Sequence, residues 1–378
     1  MIKVSNKALG GNALLITLAL TVISLAVLVS ITIEVTIANG GHFAYVTNSA
    51  DNTVSVINTA NNNIEATVKV GKLPFGVATG PDGKKIYVVN YLSNNVSVID
   101  STKNTVIASV NVGILPFGIA ISPNGNKLYV ANFGSNNISV INTATNTVTA
   151  RISEVNCPWG IAISPDGTKI YATSLNSNIT SVINTSTNTV VARVNVGNNP
   201  WGIAVSPNGK KVFVTNSNSN TVSIIDAATN TVVSVLRVGD GPWGVAVSPG
   251  GTNAYVANSN SNNVSVIDTN TNIVTGTVNV GNLPCGVTVS PDGAKVYVVN
   301  SDSNNVSVID TTKKTVTASI NVGKLPVSIG KIVIPLTAST PIANFGSNVS
   351  NGYAPLGMVN KFNYYNNLYI TDIPQMFC

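Results

Sequence analysis

The chain has 378 residues, of which 20 are Lys or Arg and 14 Asp or Glu, so 9% are charged, while 44% are apolar and 54 are Asn. So little charge excludes a charge-rich disordered segment and a coiled coil, and a net charge of +6 spread this thinly gives no reason to expect a nucleic-acid partner. Three Glu, three Cys and one His leave no disulfide framework, no histidine-based metal cage and little capacity for acid–base chemistry, so neither a metal nor a cofactor is expected.

Residues 13–33 (ALLITLALTVISLAVLVSITI) carry no charge, follow Lys3 and Lys7, and are followed at once by Glu34. A helix of this length crosses a bilayer, and the upstream lysines favour a cytoplasmic N-terminus with the rest exported. The alternative is a signal peptide, with Thr36-Ile37-Ala38 as its cleavage site. Residues 1–40 are therefore expected to be an N-terminal hydrophobic helix acting as membrane anchor or signal peptide. On either reading the body is extracytoplasmic, at the cell surface or secreted.

From residue 41 the chain is a repeat. Tyr45-Val46-Thr47-Asn48 returns in variants starting at Tyr87, Tyr129, Tyr171, Phe213, Tyr255 and Tyr297, always 42 residues on, and the step also carries Pro74-Phe75-Gly76 to Pro284. Each unit holds four short alternating runs, bounded by Pro-Asp-Gly, Asn-rich and Asp-Thr turns. Four strands in about 42 residues with no helical period predict propeller blades, in competition with a solenoid. The ends favour the propeller: the first unit lacks its first strand, and Ser328 to Ile334 supplies a lone first strand after the seventh unit. Pairing the two closes an all-β, seven-bladed ring with one-plus-three strands in the closing blade and no open edge.

The motif at 45–48, the Ser-Pro-Asp-Gly turns at 164–167 and 290–293 and the constant spacing resemble the YVTN-repeat seven-bladed propellers of archaeal surface-layer proteins, over residues 41–336. The resemblance implies a non-catalytic envelope or adhesion component that meets other envelope proteins or glycans. It also implies PKD-type modules after the propeller. Residues 341–345 with Gly352, Pro355 and Phe362 resemble the start of one, but 337–378 is too short for a β-sandwich, so a linker and an incomplete, poorly ordered stub are expected.

Three features remain as candidate sites. Phe75, Phe117, Trp159, Trp201 and Trp243 occupy equivalent positions after the Pro of each inter-blade loop, followed by Cys285 and Val327. Such a ring either stacks on planar ligands at the channel mouth, as a glycan or small-ligand receptor would, or wedges between adjacent blades with the Pro and Gly fixing the loop. Lys84, Lys85, Lys127, Lys169, Lys210, Lys211 and Lys295 form a cationic ring on the opposite face, for anionic surfaces or for solubility. Asn95, Asn137, Asn178, Asn184, Asn263, Asn305 and Asn348 begin glycosylation sequons.

Asp100, Asp226, Asp268 and Asp310 alternate with Asn58, Asn142 and Asn184 at one repeat position, which reads as turn chemistry. The repeat is broken at 151–157, where Glu154 replaces a Val and Val155 a Gly, and again at Ser174 and Asn178. His42 is peripheral, and Cys157 and Cys285, on non-adjacent blades, are expected to be free. The alternative to a surface role is a propeller enzyme of lactonase or quinoprotein type. Such enzymes place Glu, His, Arg or metal-ligating Asp in the channel mouth, where this chain offers aromatics, Asn and Ser.

Overall fold

A computed structural model describes Ile16–Leu20, Ile31–Val35, His42–Gly330 and Lys361–Phe362. Seven sheets of four antiparallel strands follow one another along His42–Gly330, so the body is an all-β seven-bladed propeller. In the second blade the strands are Pro74–Thr79, Lys85–Asn90, Asn95–Asp100 and Thr105–Asn111, hydrogen-bonded in sequence order. In the first blade, Phe43–Asn48, Thr53–Asn58 and Asn63–Lys69 are joined by Pro326–Ile329, which lies beside Phe43–Asn48 with Val46 opposite Ile329.

The strands read as near-continuous apolar runs because both faces of a blade are covered. In Lys85–Asn90, Ile86 and Val88 join a core shared with Tyr45, Val54 and Val56 of the first blade. Tyr87 and Val89 point the other way, into a core shared with Ile119, Leu128 and Val130 of the third. The period-two pattern thus serves blade-on-blade packing, and no residue of the second strand is left for solvent except its leading Lys.

The abundance of Asn has a backbone cause. Asn52, Asn94, Asn136, Asn178, Asn220, Asn262 and Asn304 all have positive φ in the loop between second and third strands. Asn62, Asn104, Asn146, Asn188, Asn230 and Asn272 do the same before the outer strand, where the seventh copy is Lys314. Asn visits the left-handed region more readily than other side chains, because its amide bonds locally to the backbone.

A buried polar cluster marks six of the seven blade junctions. Asn132 Nδ2 donates to Asn137 Oδ1 at 2.8 Å and Ser139 Oγ at 2.9 Å, while its Oδ1 accepts from Gly113 N–H at 3.0 Å. The same contact appears between Gly323 N–H and Asn48 Oδ1 at 3.1 Å, where the last repeat meets the first. Beside it Lys324 N–H donates to Asp51 Oδ2 at 2.7 Å, where other junctions use a Ser, as in Ile114 N–H to Ser135 Oγ at 2.6 Å.

The expected N-terminal helix is not shown in the described parts of the segment. Ile16–Leu20 and Ile31–Val35 are strands paired antiparallel, with Thr17 opposite Glu34. Hydropathy measures length and apolarity but not backbone preference, and β-branched residues such as Ile31, Thr32, Ile33 and Val35 suit a strand. Among the described residues no helix is long and apolar enough to cross a membrane. The remainder of 1–40, and the 337–378 stub apart from Lys361–Phe362, lie outside the described residues. Those two residues run antiparallel to Pro200–Val205, with Phe362 opposite Ile203.

Candidate functional site

The inter-blade loops bring five aromatics into one arc. Each follows the Pro that opens an innermost strand, and for three of them the carbonyl is held by a threonine of the neighbouring blade: Thr47 Oγ1 donates to Phe75 O at 2.8 Å, Thr173 Oγ1 to Trp201 O at 3.0 Å and Thr215 Oγ1 to Trp243 O at 2.6 Å. Ring centroids lie 4.4 Å apart for Phe75–Phe117, 3.4 Å for Phe117–Trp159, 4.7 Å for Trp159–Trp201 and 5.2 Å for Trp201–Trp243. All five are buried, with at most 7% of any one exposed. Phe75–Phe117, Phe117–Trp159 and Trp201–Trp243 stack face to face, and Trp159–Trp201 meets edge to face, so each ring contributes packing to its neighbours. The Nε1–H groups of Trp159 and Trp201 are buried without a hydrogen-bond partner. At the next position Cys285 is a free, buried thiol, and burial pushes its pKa up to about 12, so it stays protonated and unreactive.

The lysine ring divides into two kinds. Lys85, Lys169 and Lys211 are half-buried, and their ammonium groups donate to backbone carbonyls of the next blade: Lys85 to Thr143 O at 3.1 Å, Lys169 to Ala227 O at 2.7 Å, Lys211 to Thr269 O at 2.5 Å. These tie blade to blade. Lys84, Lys127 and Lys210 are exposed, although Lys127 still approaches Thr185 O at 3.5 Å. The same tie leaves a cleft between blades on this face, about 450 Å³ beside Lys169 and Tyr171 and about 260 Å³ beside Lys85 and Tyr87.

The third-strand carboxylates serve turns. Asp226 Oδ1 accepts from Ala228 N–H at 3.0 Å and Thr229 N–H at 2.8 Å, and Asn142 Oδ1 accepts the equivalent pair from Ala144 at 2.9 Å and Thr145 at 3.1 Å. Those bonds need only an acceptor oxygen, so Asp and Asn interchange. The backbone N–H groups of Thr229, Thr271 and Lys313 hold Asp226, Asp268 and Asp310 below the usual carboxylate range, and the Thr102 hydroxyl does most for Asp100. These groups stay ionised at neutral pH and do not act as general acids. Among the described residues no three His, Cys, Asp or Glu stand close enough to hold a metal ion.

The sequon asparagines at 95, 137, 263 and 305 are half-buried, and their Oδ1 atoms accept from the buried Asn of the second strand at 2.7–2.8 Å. Asn178 and Asn184 are also half-buried and Asn348 is outside the described residues. Asn178 Oδ1 accepts from Asn199 N–H at 3.0 Å. Asn184 Oδ1 caps its own turn, at 2.9 Å from Ser186 N–H. The expectation of free cysteines is corrected for Cys157, which is disulfide-bonded and has no exposed surface. The third cysteine, Cys378, is outside the described residues. His42 is half-buried, and its carbonyl accepts from Thr59 N–H at 2.8 Å.

Sequence reasoning noted the broken repeat near 154 without its consequence. A side chain at the junction glycine would collide with the buried Asn: a Cβ on Gly113 would stand 2.6 Å from Asn132 Cγ, and one on Gly197 2.7 Å from Asn216. At the one junction with Val155 in place of Gly, that Asn is Ser174, and its strand-three partner is Ile179. Three coupled changes therefore replace the polar cluster with a pocket of about 280 Å³, rimmed by Glu154 and Arg193, whose side chains stand 4.0 Å apart.

Blade count, closed apolar junctions and turn-bound carboxylates define a seven-bladed β-propeller. The model of YNCE-like beta-propellers matches residues 12–133, about a third of the chain. No curated protein matches. Of solved structures, hydrazine synthase from Kuenenia stuttgartiensis is 26% identical with a TM-score of 0.66, covering 71% of this chain and 92% of that one. A protein of unknown function from Desulfotomaculum acetoxidans is 17% identical with a TM-score of 0.68, covering 76% of this chain and 99% of that one. A 6-phosphogluconolactonase-like protein from Bacteroides fragilis is also 17% identical, with a TM-score of 0.68, covering 79% and 100%. The last two show the fold alone, and with 1418 solved chains matching, the fold does not select a function.

Proposed function

We propose that this chain is a non-catalytic protein of the cell surface, a propeller of the YVTN surface-layer type that presents its faces to envelope proteins or glycans. The observation that carries this reading is the use of the carboxylates: Asp100, Asp226, Asp268 and Asp310 are held ionised by turn bonds that Asn makes equally well elsewhere in the ring. The apolar segment at 13–33, behind Lys3 and Lys7, supports export with residues 1–40 as anchor or signal peptide. The seven sequons support glycosylation, and residues 337–378 extend the propeller as a PKD-like stub. Pairing of Phe43–Asn48 with Pro326–Ile329 serves as the one-plus-three closure of the ring. Membrane fractionation with protease shaving of intact cells tests the reading. Protection of the propeller inside the cell would sink it, and the mass of the mature protein decides between anchor and cleaved signal.

A second reading, a propeller enzyme, draws on the similarity to hydrazine synthase and on the lactonase-like neighbour. The full chain purified with a bound haem or metal, or hydrolysing a sugar lactone above the spontaneous rate, would favour it.

A further inference from the structure

We infer that the pocket at the junction of the third and fourth blades binds a single neutral sugar unit. Repeats copy packing, and six junctions keep the Gly–Asn pair, at Gly71–Asn90, Gly113–Asn132, Gly197–Asn216, Gly239–Asn258, Gly281–Asn300 and Gly323–Asn48. In each of them the Asn amide fills the space beneath the glycine and donates to a strand-three Ser, as Asn216 Nδ2 does to Ser223 Oγ at 2.9 Å. In the fourth blade Ser174 is too short to reach, and Ser181, the counterpart of Ser223, loses its donor. The space opens as a pocket of about 280 Å³, close to the lower limit of about 300 Å³ for small-ligand sites.

The chemistry of the lining selects the ligand class. Ser174 and Ser181 are 3% and 2% exposed and line the pocket, so their hydroxyls border the space a ligand would fill. A serine hydroxyl both donates and accepts, so a ligand that does the same can pair with each of them. Val155 and Ile179 supply an apolar wall. At the rim Glu154 and Arg193 neutralise each other at 4.0 Å, and Arg193 Nη2 also donates to Glu154 O at 3.0 Å. The site therefore has no excess charge for an anion or a cation. It offers paired hydroxyls within, a carboxylate and a guanidinium at the rim, and a hydrocarbon wall, which match the hydroxyls and C–H face of one pyranose ring.

The inference deepens the surface-protein reading by giving the glycan contact a place, and the two are tested separately. Saturation-transfer NMR on the full-length chain in detergent, with methyl α-mannoside, methyl β-glucoside, methyl β-galactoside and N-acetylglucosamine as probes, reads the site directly. At least one probe is expected to bind with a dissociation constant on the order of 1 mM. The variant Val155→Gly/Ser174→Asn/Ile179→Asn rebuilds the cluster of the other blades, and binding should weaken at least tenfold. Should that variant fail to fold, Arg193→Ala alters only an exposed rim side chain and should also weaken binding about tenfold. No saturation by any probe at about 50 mM, the result for a pocket that holds water only, overturns the inference, as does unchanged binding by a folded variant. Surface exposure of the propeller would stand in that case, and sugar binding by the purified chain would stand if surface exposure failed.

Discussion

Introducing the Val of blade four without its Ser should be worse than introducing the two together. Gly197 has an ordinary backbone conformation, so Val is permitted there by φ and forbidden only by its neighbour: the new Cβ would stand 2.7 Å from Asn216 Cβ and Cγ and 2.8 Å from Nδ2. Carbon atoms pack at about 3.5–4.0 Å, so the Asn must retreat by roughly 1 Å in a core that holds it fully buried. Overpacking of this kind costs about 1–3 kcal/mol. Displacing the amide also strains its bonds to Thr221 Oγ1 at 3.1 Å and Ser223 Oγ at 2.9 Å, each worth about 1 kcal/mol. The expected cost of Gly197→Val is therefore about 3–5 kcal/mol. Asn216→Ser alone leaves a void and unpaired hydroxyls, at about 1–3 kcal/mol. Together they reproduce the Val155–Ser174 pair, so the double variant should be more stable than Gly197→Val, with a coupling of about 2 kcal/mol or more. Urea unfolding followed by tryptophan fluorescence measures all four corners of the cycle. Additive losses, or a Gly197→Val chain within about 0.5 kcal/mol of the parent, would refute the reasoning.

Three further outcomes are expected. Asp226, Asp268 and Asp310 have folded pKa values below the unfolded one, so their contribution is present above the usual carboxylate range and is lost as pH falls through the depressed folded values; replacing all three by Asn should flatten the acid limb of Tm against pH, and an unchanged limb would count against the turn assignment. Burial raises Tyr45, Tyr87, Tyr129, Tyr171 and Tyr297 to about 12, so their contribution is complete below about pH 10 and disappears as pH rises through 12; absorbance at phenolate wavelengths should rise together with loss of the β-sheet signal, and ionisation well before unfolding would contradict the burial. Leu283 sits at φ 54, in the left-handed region where Asn199 and Gly241 stand at equivalent positions. Leu283→Asn should stabilise the chain by about 1 kcal/mol in urea titration, and a loss would show that the Leu side chain contributes more packing than its backbone strain costs.

Blade number, strand order and the identity of every turn were legible in the sequence, because a 42-residue period without insertion places the same residue types at the same points of seven sheets. Turn-bound Asp at 100, 226, 268 and 310 was legible for the same reason, since exchange with Asn is visible in the repeat itself. For the N-terminal segment, hydropathy reports how apolar Ala13 to Ile33 is and carries no information on the strand pairing of Thr17 with Glu34. Distances across the ring were equally out of reach. The sequence placed Phe75, Phe117, Trp159, Trp201 and Trp243 at one position each, and only the tertiary structure decided that the rings pack on one another, by stacking or edge to face, and are buried. It showed Lys85 and Lys211 as exposed charge, whereas their ammonium groups reach carbonyls 58 residues along the chain. Val155 and Ser174, nineteen residues apart, were visible in the sequence as departures from the repeat in one irregular sector, without a contact between them. Their coupling is a matter of van der Waals contact between neighbouring blades, a quantity that exists only once the chain has closed on itself.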